Sequence, residues 1–225
     1  MKALILAAGR GERMRPLTDR TPKPLIEVRG KRLVEWHLEA LARAGVREVV
    51  VNTAWLEEQF PATLGDGSRY GVHITYSFEG RDHGGALETA GGIAKALPLL
   101  GDAFWVVSGD VFVPGFRFDA ADAQAFVDSD ALGQLWMVAN APHHPQGDFG
   151  IDAGGLASRA VEPKFTWASI GLFRAALFED IAVGTKMALR PKLELALDLR
   201  RLRASRYDGR WTDVGTMERL AALNA

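Results

Sequence analysis

The chain has 225 residues, of which 48% are hydrophobic and 24% charged, and its formal net charge is −1. This balance is typical of one large globular domain, and near-neutrality argues against a nucleic-acid binder, which needs an excess of basic residues. The absence of cysteine excludes disulfides, thiolate metal sites and a catalytic thiol. No apolar run approaches the roughly 18 residues of a membrane span and no cleavable signal precedes the first strand, so we expect a cytoplasmic protein without membrane contact.

The hydrophobic pattern alternates between strands and helices along the first half of the chain. It predicts strands at residues 3–8, 46–52, 72–78 and 103–108, and helices at 34–41, 56–64 and 89–97. In the second half it predicts strands at 132–139 and 165–173, a hairpin at 147–156 and a helix at 216–223. Such alternation is typical of βαβ crossovers. We therefore expect a single-domain α/β fold over residues 1–225, a Rossmann-like three-layer sandwich with a mostly parallel central sheet.

A group of five cations follows the first strand, within fourteen residues that contain only two acidic residues: Arg10, Arg13, Arg15, Arg20 and Lys23. Gly9 and Gly11 allow the backbone to approach a ligand closely, and guanidinium and ammonium groups bind phosphate oxygens. The prolines on either side of Lys23 predict a stiff, extended segment that aims the lysine. Residues 9–24, which we call the basic loop, therefore predict a site for a small polyanion.

Two familiar phosphate-binding motifs do not fit the basic loop. Met14 stands where a dinucleotide fingerprint would have its third glycine, and no Gly-Lys-Ser or Gly-Lys-Thr sequence follows, as a P-loop requires. A Rossmann dehydrogenase and a P-loop kinase are both disfavoured.

Two aspartates stand where a metal ion could bind. Asp110 follows the strand at 103–108, and Asp213 lies just before the C-terminal helix. Ligands of open α/β sheets bind beyond the carboxyl ends of the strands, and carboxylate oxygens suit Mg²⁺. The alternative is that Asp110 caps a turn and Asp213 caps the helix. The neighbouring His143 and His144 have no third ligand nearby, so we do not expect them to bind a metal.

Four motifs in order carry a family resemblance: LILAAGRGERMRPLTDRTPKPLIEVRGKRL at residues 4–33, LETAGGI at 87–93, SGD at 108–110 and WTDVGT at 211–216. This order resembles the sugar-1-phosphate nucleotidyltransferases, with the main departure at Arg32, where the family usually has proline. The resemblance implies transfer of a nucleotidyl group from a nucleoside triphosphate to a sugar 1-phosphate, with Mg²⁺ as cofactor and small molecules as the partners. It also implies a nucleotide-binding half at about 1–112 and a sugar-binding half at about 113–225.

The resemblance also implies roles for individual residues. The expected catalytic residues are Arg15, Lys23, Asp110 and Asp213, the last two as the ligands of Mg²⁺. The expected nucleotide contacts are Ala8, Gly9, Gly11, Glu12, Arg13, Lys23, Glu79, Thr89 and Gly91. The expected sugar contacts are Asn140, Asp148, Gly150 and Glu162. No general base is needed, because a sugar phosphate with a second pKa near ~6 is already ionised at neutral pH.

The choice of substrates rests on the run VANAPHHPQGDF at residues 138–149. It resembles a branch of the family that uridylylates N-acetylmuramic acid 1-phosphate in cell-wall sugar recycling, which implies UTP and that sugar. A mannose-1-phosphate guanylyltransferase or a glucose-1-phosphate nucleotidyltransferase is the alternative, because Glu79 alone does not choose the base. A phosphocholine cytidylyltransferase and a non-catalytic nucleotide-sugar sensor are the remaining hypotheses. The chain ends soon after Thr216, where many relatives continue, so we expect no second enzymatic domain, and this length is compatible with a monomer.

Overall fold

The computed structural model describes all residues from 1 to 225. The strands are β1 Lys2–Leu6, β2 Glu27–Val28, β3 Lys31–Arg32, β4 Glu48–Thr53, β5 His73–Phe78, β6 Ala103–Ser108, β7 Val111–Phe112, β8 Gly133–Val138, β9 Gly150–Ile151, β10 Ala157–Ser158, β11 Thr166–Arg174, β12 Leu202–Arg206 and β13 Thr212–Asp213. The helices are α1 Leu33–Arg43, α2 Gln59–Leu64, α3 Glu79–His83, α4 Glu88–Ala96, α5 Ala120–Asp128, α6 Arg190–Asp198 and α7 Met217–Asn224. None of the helices combines the length and the apolar character needed to span a bilayer.

Seven strands form the central sheet in the order β12-β8-β11-β6-β1-β4-β5. All neighbouring pairs are parallel except those of β11, which runs antiparallel to both β6 and β8. Residues along β1 alternate between two cores: Ala3 and Ile5 pack with α1, α2 and α5, whereas Leu4 packs with α4 and α6. Because side chains of a strand point to opposite faces in turn, both faces of the sheet are covered. The predicted three-layer α/β architecture with a mostly parallel sheet is confirmed.

Four elements of the second half are not predicted from the hydrophobic pattern: α5, α6, β12 and the two-residue strand β13. Helix α5 buries only Ala123 and Phe126, and α6 buries Lys192 beside Leu193 and Ala196. Such sparse or mixed stripes give weak helical periodicity. Strand β12 is a sheet edge, where every second residue is exposed and charged or polar. Helix α2 also begins three residues later than predicted, because Leu56 adopts a left-handed conformation with φ 49°.

A third, smaller apolar cluster anchors the basic loop to the C-terminal part of the chain. Met14 of the basic loop is fully buried there, against Phe112 of β7, Val214 after β13 and Leu220 of α7. Burying an apolar side chain of this size stabilises the fold by about 1.5–3 kcal/mol. The cluster therefore holds the basic loop beside the β7–β13 pair, which carries both candidate metal-binding aspartates at its ends.

Candidate active site

A cleft of about 270 Å³ opens at the carboxyl ends of β1, β4 and β6. It is lined by Leu6, Ala7, Ala8, Gly9, Gly11, Lys23, Pro24, Asn52, Ala86, Glu88, Thr89, Ser108 and Asp110. Six predicted site residues are thus brought together from three separate motifs: Ala8, Gly9, Gly11, Lys23, Thr89 and Asp110. This edge of the sheet is where ligands of open α/β folds bind.

An ion pair between Lys23 and Asp110 lies in the cleft. Nζ of Lys23 is 2.9 Å from Oδ2 of Asp110, and Oγ of Ser108 donates a 2.8 Å hydrogen bond to Oδ1. Burial opposes ionisation of this carboxyl group, but the charge and hydrogen bond of Lys23 and the hydroxyl of Ser108 hold the pKa of Asp110 below its usual value. Lys23 is only 9% exposed. Asp110 is therefore ionised at neutral pH, and the cleft contains a fixed cation beside a fixed anion.

The segment around Lys23 is not extended, so that prediction is wrong. Lys23–Leu25 form one turn of 3₁₀ helix, with the N–H of Ile26 donating to the carbonyl of Lys23 at 3.1 Å. The reason is the second proline: its fixed φ fits the first turn of a helix as well as an extended chain. Only Pro22 is extended, with ψ 139°. The turn buries the prolines and directs Lys23 towards the cleft.

Gly11 is required where the basic loop folds back on itself. Its φ is +69°, and a Cβ at this position would lie 3.0 Å from the methyl group of Thr18 and 3.3 Å from Cε of Lys23. The hydroxyl of Thr18 donates a 2.9 Å hydrogen bond to the carbonyl of Gly11. The loop therefore keeps its shape through a left-handed glycine and one side-chain bond.

The β7–β13 pair brings the second aspartate next to the first. Asp213 is paired with Val111, and the N–H of Val214 donates a 2.9 Å hydrogen bond to the carbonyl of Asp110. Oδ1 of Asp213 lies 3.1 Å from Nη1 of Arg219 and 3.1 Å from Nε2 of His143. Sequence reasoning did not single out Arg219, because its helix shows no phosphate motif.

Asp110 and Asp213 lie at the ends of one short ribbon, and carboxylate oxygens are donors that suit Mg²⁺. No group of three or more His, Cys, Asp and Glu side chains is placed to hold a metal ion by itself. Mg²⁺ commonly binds through one or two carboxylates together with water and substrate phosphates, so Asp110 and Asp213 fit this mode of binding.

The other ionic residues of the basic loop lie outside the cleft. Nε of Arg15 pairs with Oδ1 of Asp19 at 3.3 Å, and Arg10 stacks on Trp55 with its guanidinium carbon 3.7 Å from the ring centre. The Glu12 side chain is 72% exposed. Arg13, in contrast, approaches the β13–α7 turn: a Cβ on Gly215 would lie 3.2 Å from its Nη2 atom and 3.0 Å from Oδ2 of Asp213. The structure thus brings Arg13, and not Arg15, next to a candidate metal ligand.

Glu79 lies beneath the cleft and not in it, contrary to the prediction of a direct base contact. Its side chain is fully buried, accepting hydrogen bonds from the amide of Asn52 at 2.6 Å and from the N–H of Leu87 at 2.7 Å. Burial raises the pKa of Glu79, an effect that these two hydrogen bonds oppose. Asn52 in turn accepts from the N–H of Ala7 at 2.8 Å. Sequence reasoning missed Asn52, which lines the cleft and links β1 to Glu79.

Thr89 and Gly91 have different positions at the start of α4. Thr89 lines the cleft, whereas Gly91 is buried against the segment 185–187, where a Cβ would clash with the carbonyl of Thr185. The N–H groups of Ala90 and Gly91 both donate to the carbonyl of Met187, at 2.9 and 3.1 Å. These two amides are therefore occupied within the protein, which disfavours the predicted contact of Gly91 with the nucleotide through its N–H.

A second depression, of about 440 Å³, is formed by the second half of the chain. It contains Asn140 and Glu162 together with Lys164, whose N–H donates to Oε2 of Glu162 at 3.0 Å. The amide of Asn140 donates to the carbonyls of Pro145 and Lys164, at 3.1 and 3.0 Å, and so holds the rim together.

The other two predicted sugar contacts have packing roles beside this depression. Asp148 accepts a 2.8 Å hydrogen bond from the N–H of Trp167 and pairs with His144. Gly150 is buried, and a Cβ there would clash with the carbonyl of Val161. Neither residue lines the depression.

Comparison with known proteins decides the class. The family model described as nucleotidyl transferase matches residues 2–225. The chain belongs to the nucleotidyl transferase family. It is 46% identical over 232 residues to the N-acetylmuramate alpha-1-phosphate uridylyltransferase of Neisseria meningitidis serogroup B, with 100% of this chain and 97% of that protein covered. The protein of the same name from Caulobacter vibrioides is 37% identical over 162 residues, with 68% of this chain and 66% of that protein covered.

The fold of this nucleotidyltransferase also matches solved structures. A protein described as a glucose-1-phosphate thymidylyltransferase of Bacillus anthracis superposes with a TM-score of 0.84 at 20% identity, covering 100% of this chain and 94% of that one. At this identity the likeness concerns the fold. The family and the cleft together make this chain an enzyme that transfers a nucleotidyl group.

Proposed function

We propose that this nucleotidyltransferase transfers UMP from UTP to N-acetylmuramic acid 1-phosphate and releases pyrophosphate, as a cytoplasmic step of cell-wall sugar recycling. The observation that carries the proposal is the 46% identity to the Neisseria enzyme across the full length of both chains. The cleft supports the proposed reaction, because two of the expected catalytic residues, Lys23 and Asp110, lie in it and form an ion pair.

The two halves of the chain form separate depressions, which supports separate binding sites for the two substrates. The 270 Å³ cleft is built from residues 6–110, and the 440 Å³ depression from residues 140–164. We assign the nucleotide to the first and the sugar to the second. The backbone of Ala8 and Gly9 is half-buried or exposed at the cleft mouth, where it can contact base and ribose. Glu79 acts indirectly, by fixing Asn52 and the loop that ends at Leu87.

The chemistry requires positioning and charge stabilisation more than proton transfer. A phosphate oxygen of the sugar phosphate attacks the α-phosphorus of UTP, and the bond to the bridging oxygen breaks with its electron pair leaving on pyrophosphate. No proton has to move, because the nucleophile is already an anion. Lys23 is buried and fixed, so it can bridge the two repelling phosphates without reorganising in the transition state.

Mg²⁺ is the cofactor that the donor set of Asp110 and Asp213 fits. When bound, it would neutralise charge on the triphosphate, which is the usual contribution of the metal to nucleotidyl transfer. Lys23 already neutralises one oxygen of Asp110, and Arg219 one oxygen of Asp213, which leaves Oδ2 of Asp213 free of hydrogen bonds within the protein.

The test is a matrix of pyrophosphate-release assays with UTP, dTTP, GTP and CTP against the 1-phosphates of N-acetylmuramic acid, N-acetylglucosamine, glucose and mannose, and against phosphocholine. We expect the highest kcat/KM for UTP with N-acetylmuramic acid 1-phosphate. A higher value for glucose or mannose 1-phosphate would replace the sugar assignment and retain the reaction. Activity with only CTP and phosphocholine would show that the assignments of UTP and of the sugar 1-phosphate are both wrong.

A further inference from the structure

Glu88, the first residue of α4, has a backbone conformation that residues with a side chain rarely adopt. Its φ is +60°, in the left-handed region that favours glycine. Hydrogen bonds fix the backbone on both sides of it. The N–H of Leu87 donates to Glu79, and the carbonyl of Leu87 accepts a 2.9 Å hydrogen bond from the N–H of Met187. The N–H of Ala90 donates to the carbonyl of Met187 at 2.9 Å. The fold therefore holds a glutamate in a strained conformation, which is a frequent property of ligand-binding residues.

The Glu88 side chain lines the 270 Å³ cleft and has no strong partner there. Four of the other polar side chains that line the cleft are already hydrogen-bonded within the protein: Lys23, Asn52, Ser108 and Asp110. The carboxylate of Glu88 does not cap α4. Its nearest cation is Lys186, 4.0 Å away and with a side chain that is 68% exposed, and such an ion pair contributes little. Glu88 thus has acceptor oxygens that remain free for a ligand.

The charge of Glu88 restricts what that ligand group can be. Lys23 is the cation that lines the cleft, and it is paired with Asp110. A carboxylate repels phosphate groups, so we expect the triphosphate near Lys23 and the nucleoside near Glu88. Glu88 does not join Asp110 and Asp213 in a group of three side chains placed to hold a metal ion. The fitting partner is therefore a neutral hydrogen-bond donor of the nucleoside.

We propose that Glu88 binds the ribose of UTP, with its two carboxylate oxygens accepting hydrogen bonds from the 2′- and 3′-hydroxyl groups. Two adjacent acceptor oxygens match two adjacent hydroxyl donors, whereas the imide N–H of uracil offers a single donor. Acidic side chains bind the ribose 2′-hydroxyl in a comparable way in dinucleotide-binding α/β folds. The contact rests on the proposed use of UTP, and it disfavours dTTP, which lacks the 2′-hydroxyl group.

The test compares UTP with 2′-deoxyuridine triphosphate, both in the pyrophosphate-release assay and in calorimetric titration without sugar 1-phosphate. In the wild type, kcat/KM and affinity should both be about ten- to a hundred-fold higher for UTP. In Glu88→Gly this preference should fall to within about two-fold, mainly because KM for UTP rises. Glu88→Gln keeps one acceptor oxygen and should retain part of the preference.

Unfolding in urea separates a ribose contact from a purely structural role. Glu88→Gly removes the left-handed strain, so the variant should unfold at an equal or higher urea concentration than the wild type while it loses its ribose preference. Arg200→Gly is the matched control for the glycine substitution, because Arg200 is exposed, has φ +55° and lies outside the cleft. Glu179→Gln, at an exposed glutamate outside the cleft, is the control for charge. Both controls should keep the wild-type preference for UTP.

Several outcomes would overturn the ribose contact. Equal affinity of the wild type for the two nucleotides would show that the 2′-hydroxyl group is not bound. An equal loss for both nucleotides in Glu88→Gly, with an unchanged ratio, would make Glu88 a positioning residue of α4. An unchanged ratio together with weaker Mn²⁺ binding, measured by electron paramagnetic resonance, would assign Glu88 to the metal.

Failure of the proposed function gives a different result. Absence of turnover with N-acetylmuramic acid 1-phosphate would contradict the proposed reaction, and the calorimetric titration would still judge the ribose contact. Binding of neither nucleotide to the wild type would overturn the use of UTP and the ribose contact together.

Discussion

Nζ of Lys23 lies 2.9 Å from Oδ2 of Asp110, although 87 residues separate the two in sequence. The contact joins the basic loop to the end of β6, and it gives the cleft its charge pattern. Lys23 neutralises Asp110 in the free protein, and both groups face the same space as the cleft glycines. A triphosphate entering the cleft meets a lysine that is already ordered, so less conformational entropy is lost on binding.

Lys23→Met should abolish most of the activity. The fixed ammonium group is expected to contribute about 3–4 kcal/mol to transition-state stabilisation, so kcat/KM should fall by at least a hundred-fold. The variant should also unfold at lower denaturant concentration, because Asp110 loses its buried cation. Steady-state pyrophosphate release and urea unfolding measure the two effects. Lys31→Met, at a half-buried lysine that is outside the cleft and paired with Glu39, should leave kcat/KM unchanged. A similar loss of activity in Lys31→Met would make the effect one of overall charge.

Asp213→Asn should weaken metal binding while leaving the fold intact. The amide keeps the size of the side chain but removes the charge that Mg²⁺ requires. Titration with Mn²⁺ in the presence of UTP, followed by electron paramagnetic resonance, should show a clear loss of bound metal in Asp213→Asn and Asp110→Asn. Asp208→Asn, at an exposed aspartate paired with Arg206, is the matched control. Unchanged Mn²⁺ binding in Asp213→Asn would refute the assignment of this residue as a ligand.

Glu79→Gln should destabilise the floor of the cleft. The carboxylate accepts from both Asn52 and Leu87, and an amide has only one acceptor oxygen, so one donor would face an NH₂ group. An unsatisfied buried donor costs about 1–3 kcal/mol, which urea unfolding should detect. KM for the nucleoside triphosphate should rise as well, because Asn52 and the 84–88 loop lose their anchor. A variant of normal stability and normal KM would contradict this role.

His37 should make stability depend on pH. It is 2% exposed and lies 3.0 Å from the carbonyl of Val111, and burial lowers its pKa to about 4. Between the unfolded pKa near ~6.5 and the folded value, the unfolded chain binds the additional proton, so stability rises with pH across that window. The full effect is about 3 kcal/mol, present above pH 6.5 and lost as the pH falls towards 4.

Comparison with His37→Gln isolates the contribution of His37 to the pH dependence of the free energy of unfolding. Glutamine can still donate to the carbonyl of Val111 but does not titrate. Urea unfolding at several pH values should therefore show a steeper loss for the wild type between pH 6.5 and 4 than for the variant. Parallel curves for the two proteins would show that His37 is not buried as a neutral group.

The sequence predicts the cleft well where a motif fixes local geometry. Gly11, Lys23 and Asp110 follow or precede strands whose apolar patterns are clear, and the carboxyl ends of neighbouring parallel strands meet at one edge. The hydrophobic pattern does not predict elements of the second half whose buried faces include polar residues or whose exposed residues interrupt the apolar run. Lys192 lies on the buried face of α6, and the edge strand β12 exposes charged residues. The fold class depends little on these elements, which is why it is predicted while their positions are not.

Contacts between distant elements are the part of the site that sequence does not reveal. Glu79 directly follows β5 as the first residue of α3, yet it bonds to Asn52 and Leu87 and is completely buried. Arg13 and Arg15 have the same chemistry, and only the burial of the intervening Met14 against Val214 determines which of them turns towards Asp213. No sequence motif marks Arg219 as a site residue. Its contact with Asp213 depends on the β7–β13 pair, which brings α7 next to the basic loop.

Phosphorus NMR of a single reaction mixture tests the central claim most directly. The wild-type chain is incubated with Mg²⁺, UTP and N-acetylmuramic acid 1-phosphate, and the spectrum is followed over time. We predict that the triphosphate and sugar-phosphate signals decline together, while a diphosphate bridge and pyrophosphate appear in equal amounts. If the sugar-phosphate signal persists while UTP is unchanged or is hydrolysed to UDP and phosphate, the proposed reaction is wrong.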